Sequence, residues 1–231
     1  ELFADTSDHL DEIVNCEYYN NFIVCVGANG KIVRIDGTGN VKLIWDDNLA
    51  SALKGNPSGW NTTTFVSFAQ FNGDLILCNG VNKPLIINTS MDVSYLQDLA
   101  DLSNANTPIA RFVVAHGRYL VMGGEEDRLF ISATDVGGTF VGDSSPNDAV
   151  NVDLGSRVPS GSNVIKGLGR FRDKLVVMFE NATLIGTLGG FVDSAHVPVF
   201  DDAIENVGSI SHRTIQTIGE DMIFGDRAGI S

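Results

Sequence analysis

The residues of this chain that could do chemistry are scattered. His9, His116, His196 and His212 have no companion at metal-ligand spacing, and His116 and His212 flank strand starts, where turn or surface roles are expected. Cys16, Cys25 and Cys78 are an odd number with no C-x-x-C pair. They predict neither a zinc site nor a disulfide framework, and point to folding in a reducing cytoplasm. Cys25 and Cys78 fall inside apolar runs, where a thiol packs as a small hydrophobe. Ser132 and Ser211 lack the G-x-S-x-G elbow that would expose a nucleophile. Gly167-Leu-Gly169-Arg170 opens like a dinucleotide fingerprint, but the third Gly is missing and a strand pattern follows. Asp36, Thr38 and Asn40 alternate like the start of a calcium loop without its fixed Gly or closing Glu, so a hairpin turn is expected there. The reading is of a non-enzyme, with no catalytic residue, no cofactor and no metal site.

Charge offers one further lead. The 231 residues carry 15 Lys+Arg against 29 Asp+Glu, a net −14, which argues against a dedicated nucleic-acid binder working by phosphate neutralisation. On this acidic background Lys166, Arg170, Arg172 and Lys174 fall at even positions. An extended chain would put them on one side. The patch is expected to be a solvated sheet face, or a contact with an acidic neighbouring subunit or with DNA phosphates. No apolar run is long enough to cross a bilayer as a helix. The chain opens on Glu1 and stops at Ser231 in a strand-like pattern, and so reads as a piece of a longer polypeptide.

The elements that must position these residues are strands. Short runs rich in Val, Ile, Leu and Phe end in Gly, Asn and Asp, as in Phe22–Val26, Gly27–Gly30, Lys31–Ile35. Phe22, Leu75, Tyr119, Leu175 and Met222 open equivalent strands at steps of 53, 44, 56 and 47 residues. Antiparallel units recurring at about 40–50 residues mark propeller blades, whereas a β-sandwich keeps a steadier spacing of about 8–12 residues. The predicted class is all-β, a partial β-propeller with blade-like units at about 15–50, 60–92, 108–140, 160–190 and 210–231, the last truncated. Four units and part of a fifth leave open edges for other strands or neighbouring domains to cover. Asn48–Lys54 and Val93–Leu102 read as short helices between blades. Val141–Asn163 and Gly190–Gly208 read as long loops carrying subunit contacts, so that deleting either should impair assembly and spare the fold.

Ser132-Ala-Thr-Asp135-Val-Gly137-Gly-Thr139-Phe140 resembles the Asp-box of sialidase-like propellers, S-x-D-x-G-x-T-[WF], with Ser132 one residue too far upstream. In that family the box is a folding turn, so the likeness implies a propeller before it implies a hydrolase. A sialidase-like or carbohydrate-binding propeller is the alternative reading.

From Arg118 to Ser231 the chain resembles the tail nozzle proteins (tail tubular protein B, tail-hub or stabilisation proteins) of short-tailed bacteriophages. Gly117-Arg118-Tyr119-Leu120-Val121 precedes Leu129-Phe130-Ile131-Ser132, though the family's Trp near Ile131 is absent. Ile165-Lys-Gly-Leu-Gly-Arg-Phe171-Arg172-Asp173-Lys174-Leu175-Val176-Val177-Met178-Phe179 is similar to the family's I-x-G-L-x-x-F-R-D-x-L-h-V-F. Glu205 to Phe224 is similar to G-x-x-S-x-R-S-I-V-x-x-G-x-D-h-h-F-L. The resemblance implies a structural virion component, a homo-oligomeric ring (commonly a hexamer) at the distal tail tube. It would meet an adaptor protein and tail fibres and pass DNA along its axis. It would be made in the host cytoplasm and located in the virion tail.

Overall fold

Apolar runs punctuated by Asn, Asp and Gly close into antiparallel hairpins because neither a helical period nor a helix cap competes with them. The computed structural model describes residues 9–46, 60, 65–97, 106–140, 149–158, 164–188, 191–192, 195–196, 199–218, 221–227 and 229–230. The first sheet holds β1 (Ile13–Tyr19), β2 (Phe22–Gly27), β3 (Ile32–Ile35) and β4 (Val41–Trp45) in sequence order. The second holds β5 (Ser67–Phe71), β6 (Asp74–Cys78), β7 (Leu85–Ile87) and β8 (Val93–Tyr95). The third holds β9 (Phe112–His116), β10 (Tyr119–Glu125), β11 (Arg128–Ile131) and β12 (Val150–Asp153). In the fourth, β13 (Gly167–Phe171), β14 (Lys174–Met178) and β15 (Ala182–Thr187) are followed by a small ribbon of β16 (Phe191–Val192) and β17 (Ala195–His196). The sheet is then completed by β18 (Val199–Glu205). A last ribbon pairs β19 (Gln216–Ile218) with β20 (Asp221–Ile223). Four-stranded antiparallel meanders repeated in this way are propeller blades.

The sheets stack face to face in chain order. Tyr19, Val24, Val26, Ile32 and Trp45 of the first pack on Leu75, Leu77, Leu85 and Ile87 of the second. Ile76 and Cys78, on the other face of β6, pack on Leu120 and Met122 of β10. Tyr119 and Val121, in turn, meet Leu175 and Val177 of β14. Each central strand thus carries an unbroken apolar run, Leu75–Cys78, Tyr119–Met122 and Leu175–Met178, because alternate residues enter two different interfaces. At about 1.5–3 kcal/mol for each large side chain fully buried, these seams dominate the stability.

The first hairpin of each four-stranded unit turns in two residues, between the pairs Tyr19↔Phe22, Phe71↔Asp74, His116↔Tyr119 and Phe171↔Lys174. Such turns need positive φ, and they have it at Asn20, Asn21, Asn72, Gly73, Gly117 and Arg172. Neighbouring turns are tied together. The Tyr19 hydroxyl donates to the Gly73 carbonyl at 2.7 Å, and Asn72 Nδ2 donates to the Asp135 carbonyl at 2.7 Å.

Three expectations are corrected by these strands. Val93–Tyr95 is an edge strand, not the start of a helix, because Val93 is buried against the first sheet; Asn48–Lys54 and residues 98–102 lie outside the described residues. The segment 141–163 contains β12, paired with β11 from Arg128↔Asp153 to Ile131↔Val150, and a 3-10 turn at Gly155–Arg157. The segment 190–208 contains β18, paired with β15 from Ala182↔Glu205 to Thr187↔Val199. Deleting either would therefore remove a blade strand, not a loop.

Gly208 gives the sharpest packing prediction. A Cβ there would lie 2.3 Å from the Phe179 carbonyl oxygen and 2.6 Å from the Glu180 carbonyl carbon, backbone atoms held by the Ser209 N–H bond to the Phe179 carbonyl at 2.8 Å. Gly208→Ala is expected to cost about 1–3 kcal/mol. Gly37→Ala, where nothing lies within 4 Å, should stay within about 0.5 kcal/mol of the wild type. Urea denaturation midpoints of the two variants check this.

Candidate functional site

The first strands of successive units, β1, β5, β9, β13 and β19, touch one another in turn, so the residues entering these strands converge. The segment before β19 also reaches back to the first strand, where Arg213 Nη2 donates to the Val14 carbonyl at 3.4 Å. Between them lies a polar cavity of about 630 Å³ bordered by Asn15, Glu17, Ser67, His212, Arg213 and Gln216. Asn15 Nδ2 donates to the Val66 carbonyl at 2.7 Å, and Ser67 Oγ accepts from the Val113 N–H at 3.0 Å. These bonds use backbone groups that the inner strands would otherwise leave unpaired.

A smaller recess of about 130 Å³ shares Phe65 and His212 with this cavity and adds Arg111, Phe112, Lys166 and Ser211. The Arg111 guanidinium lies over Phe65 and Phe112, 5.5 and 5.8 Å from the ring centres, and Arg213 lies 5.7 Å from the Phe65 centre. The His212 ring stands edge-on to Phe65 at 5.6 Å and tilted over Phe112 at 4.9 Å. None of the described residues bordering the recess is acidic. Among the described residues neither Arg111 nor Lys166 has an ion-pair partner. Burial, and then the Arg111 charge, push His212 down to about 4, so it is neutral at pH 7. Its Nδ1 is buried without a hydrogen-bond partner. Two cations and a neutral imidazole between aromatic faces suit an anionic group, such as a carboxylate or phosphate.

The expected basic patch is divided by the fold. Lys166 borders the recess. Arg170 and Arg172 meet at the hairpin turn, where Arg170 Nε donates to the Arg172 carbonyl at 3.1 Å. Lys174 Nζ donates to Thr187 Oγ1 at 2.6 Å. Arg170 pairs with Leu175 and Phe171 with Lys174. A two-residue turn therefore places Arg170 and Lys174 on opposite faces of the sheet, although both numbers are even.

The Asp-box-like segment is a turn. Ser132 is fully buried, its Oγ accepting from the Leu120 N–H and donating to the Ala133 carbonyl, both at 3.0 Å. Asp135, with φ +59°, forms an exposed ion pair with Arg118 that lowers its carboxyl pKa. Phe140 is buried between the second and third sheets. Asp36 likewise closes its own hairpin, accepting from the Thr38 hydroxyl at 2.6 Å and from the Asn40 N–H at 3.0 Å. These bonds hold its carboxyl far below the usual range. His9 and His116 are apart from the cavity. His116 is lowered first by burial and then by Arg170, and the His196 side chain is not among those described. No group of three His, Cys, Asp or Glu residues is placed to hold a metal among the described residues.

Sequence reasoning missed Phe65 and Arg111. The signal was present in the repeat, because Phe65, Arg111, Lys166 and His212 all stand just ahead of a first strand. Superposing the units on those strands aligns Arg111 with Lys166, one residue ahead of the strand, and puts Phe65 and His212 two and four residues ahead, in the same entering segment.

No protein-family model and no curated protein matches the sequence. Solved structures do match. YCF48 from Cyanidioschyzon merolae superposes with a TM-score of 0.55 at 14% identity, over 96% of this chain and 66% of that one. The extracellular domain of the hybrid two component system BT4673 from B. thetaiotaomicron gives 0.54 at 12%, over 92% and 25%. BamB from Moraxella catarrhalis gives 0.51 at 11%, over 96% and 58%. The chain thus has a β-propeller fold and spans only part of each of these proteins.

The burial of His212 gives a pH prediction. Its folded pKa, about 4, lies below the ordinary value near 6.5, so between these limits the unfolded chain binds the proton first. Stability therefore falls as pH drops through about 6.5 toward 4. His212→Phe keeps the aromatic packing and should remove up to about 3 kcal/mol of that loss. Denaturation midpoints at pH 7 and pH 4.5 for both proteins measure it.

Proposed function

We propose that this chain is a structural propeller module of a phage tail nozzle, assembling into a homo-oligomeric ring around the path of ejected DNA. The observation that carries the reading is the architectural use of the family-like words. In Ile165–Phe179, Gly167 and Gly169 leave room for Ile215 and Met222 from the Glu205–Phe224 word, since a Cβ would lie 2.3 and 2.8 Å from their side chains. The Ser209 hydroxyl donates to the Ser211 carbonyl at 2.9 Å, fixing the entry to β19. Gly167 and Ser211, which stand at fixed positions of the two words, thus join one blade to the next together with Gly169 and Ser209, so the words are used where successive blades meet. A net −14 suits a conduit through which DNA must slide without adhering.

Another copy of so acidic a chain is a fitting partner for Arg170 and Arg172, both exposed at the β13–β14 turn. The alternative, a carbohydrate-binding propeller, draws on a different place. A cavity of about 320 Å³ beside the Asp135 turn is bordered by Phe71, Asp74 and Tyr95, and burial raises the Asp74 carboxyl pKa. Aromatic faces beside acceptors are what sugars bind.

Electron microscopy and native mass measurement of the purified protein test the proposal. A closed ring with an axial channel wide enough for duplex DNA is the expected result. Arg170→Glu combined with Arg172→Glu should lower the ring fraction several-fold while leaving the melting temperature within a few degrees. Single unringed propellers, together with glycan binding lost in Tyr95→Ala, would replace the nozzle reading with the carbohydrate one.

A further inference from the structure

We propose that Cys16 and Cys25 are a redox-active dithiol that closes to a cross-strand disulfide when the protein meets a small-molecule disulfide. The two residues are direct partners in the β1–β2 register, and their sulfurs lie 2.7 Å apart. A disulfide bond is about 2.05 Å long, so the sulfurs need to approach by only about 0.7 Å, and directly paired antiparallel residues have Cα atoms about 4.5–5.5 Å apart, within the range a disulfide spans. They differ in access. Cys16 is exposed and borders the central cavity, whereas Cys25 is buried against Leu10 and Val33. The contact with Cys25 lowers the Cys16 pKa and raises that of Cys25, so Cys16 ionises first and Cys25 stays a thiol beside it. That is the asymmetry of an attacking thiol and a resolving thiol. Cys78 is fully buried between the second and third sheets and takes no part.

The chemistry balances with oxidised glutathione as the co-reactant. The Cys16 thiolate attacks one glutathione sulfur, forming a mixed disulfide and releasing one glutathione thiolate. Cys25 then loses its proton to solvent and attacks the Cys16 sulfur, expelling the second glutathione. Two protein thiols give up two electrons and two protons, and one glutathione disulfide becomes two thiols. The pair stays reduced at a cytosolic poise and closes once the protein leaves that compartment. The product fastens β1 to β2 beside the place where Arg213 meets Val14. The first strand of the array is thereby held covalently, independently of the role proposed for the ring.

The test uses the wild-type protein incubated with oxidised glutathione at pH 8, denatured and alkylated without reductant. The expected product is a monomer with one alkylated thiol, Cys78, in place of three, and a mass lower by two hydrogens before alkylation. No Lys or Arg lies between the two cysteines, so chymotrypsin is the protease to use. Its cuts at Tyr18, Tyr19 or Phe22 should give two peptides joined by the bond. The oxidised protein should melt several degrees above the reduced one, and Cys16→Ser should abolish both the link and the shift. Three alkylated thiols after oxidation would overturn the proposal, as would a glutathione adduct as the end point or a disulfide-linked dimer.

Discussion

Every blade has two apolar faces and must cover both. β6 divides Leu75 and Leu77 from Ile76 and Cys78, β10 divides Tyr119 and Val121 from Leu120 and Met122, and β14 divides Leu175 and Val177 from Val176 and Met178. A sheet of this kind cannot stand alone in water, since each face exposes several large side chains. Stacking in series is the solution, and it brings the first strands together. There the crowding selects small residues, such as Ala69 in β5 and Gly167 and Gly169 in β13, where side chains of the next unit fill the missing volume. The outer seams show what the constraint leaves over. Val176 and Met178 border a groove of about 320 Å³ with Met222 and Phe224. On the far side of the first sheet, Cys25 and Val33 are covered chiefly by Leu10 from the preceding segment.

This constraint explains which strands could be read from the sequence. β2, β6, β10 and β14 are buried on both faces, and their unbroken apolar runs set the long period. β8, β12 and β18 lie at the outer sheet edges and carry the polar residues Ser94, Asn151 and Glu205. An edge strand has one neighbour, and solvent supplies the rest of its environment, so its sequence resembles a loop or a short helix. The basic residues failed for a different reason. Parity along one strand was legible for Arg170, but the two-residue turn at Arg172 and Asp173 reverses parity in the next strand. Only the pairing register reveals that.

The centre was the least legible part because its residues are distant in the chain. Phe65, Arg111, Lys166 and His212 belong to four different units, and each taken alone reads as a residue beside a turn. Their meeting changes their chemistry. The imidazole, out of water and then also near the charge of Arg111, gives up its proton well below its ordinary pKa. Ring faces hold the two guanidinium groups in place while leaving their edges for hydrogen bonds.

The same geometry bears on how an acidic chain treats an anion. Away from the centre 29 carboxylates against 15 cations repel phosphate or carboxylate groups, and salt at 0.1 M screens that repulsion beyond about 10 Å. At short range the balance is local, and the described residues bordering the recess include Arg111 and Lys166 and no carboxylate. An anion in the recess would meet Arg111 and Lys166, whereas one in the wider cavity beside it would also meet Glu17. A polymer of phosphates and a single anionic group on a partner would thus be treated differently.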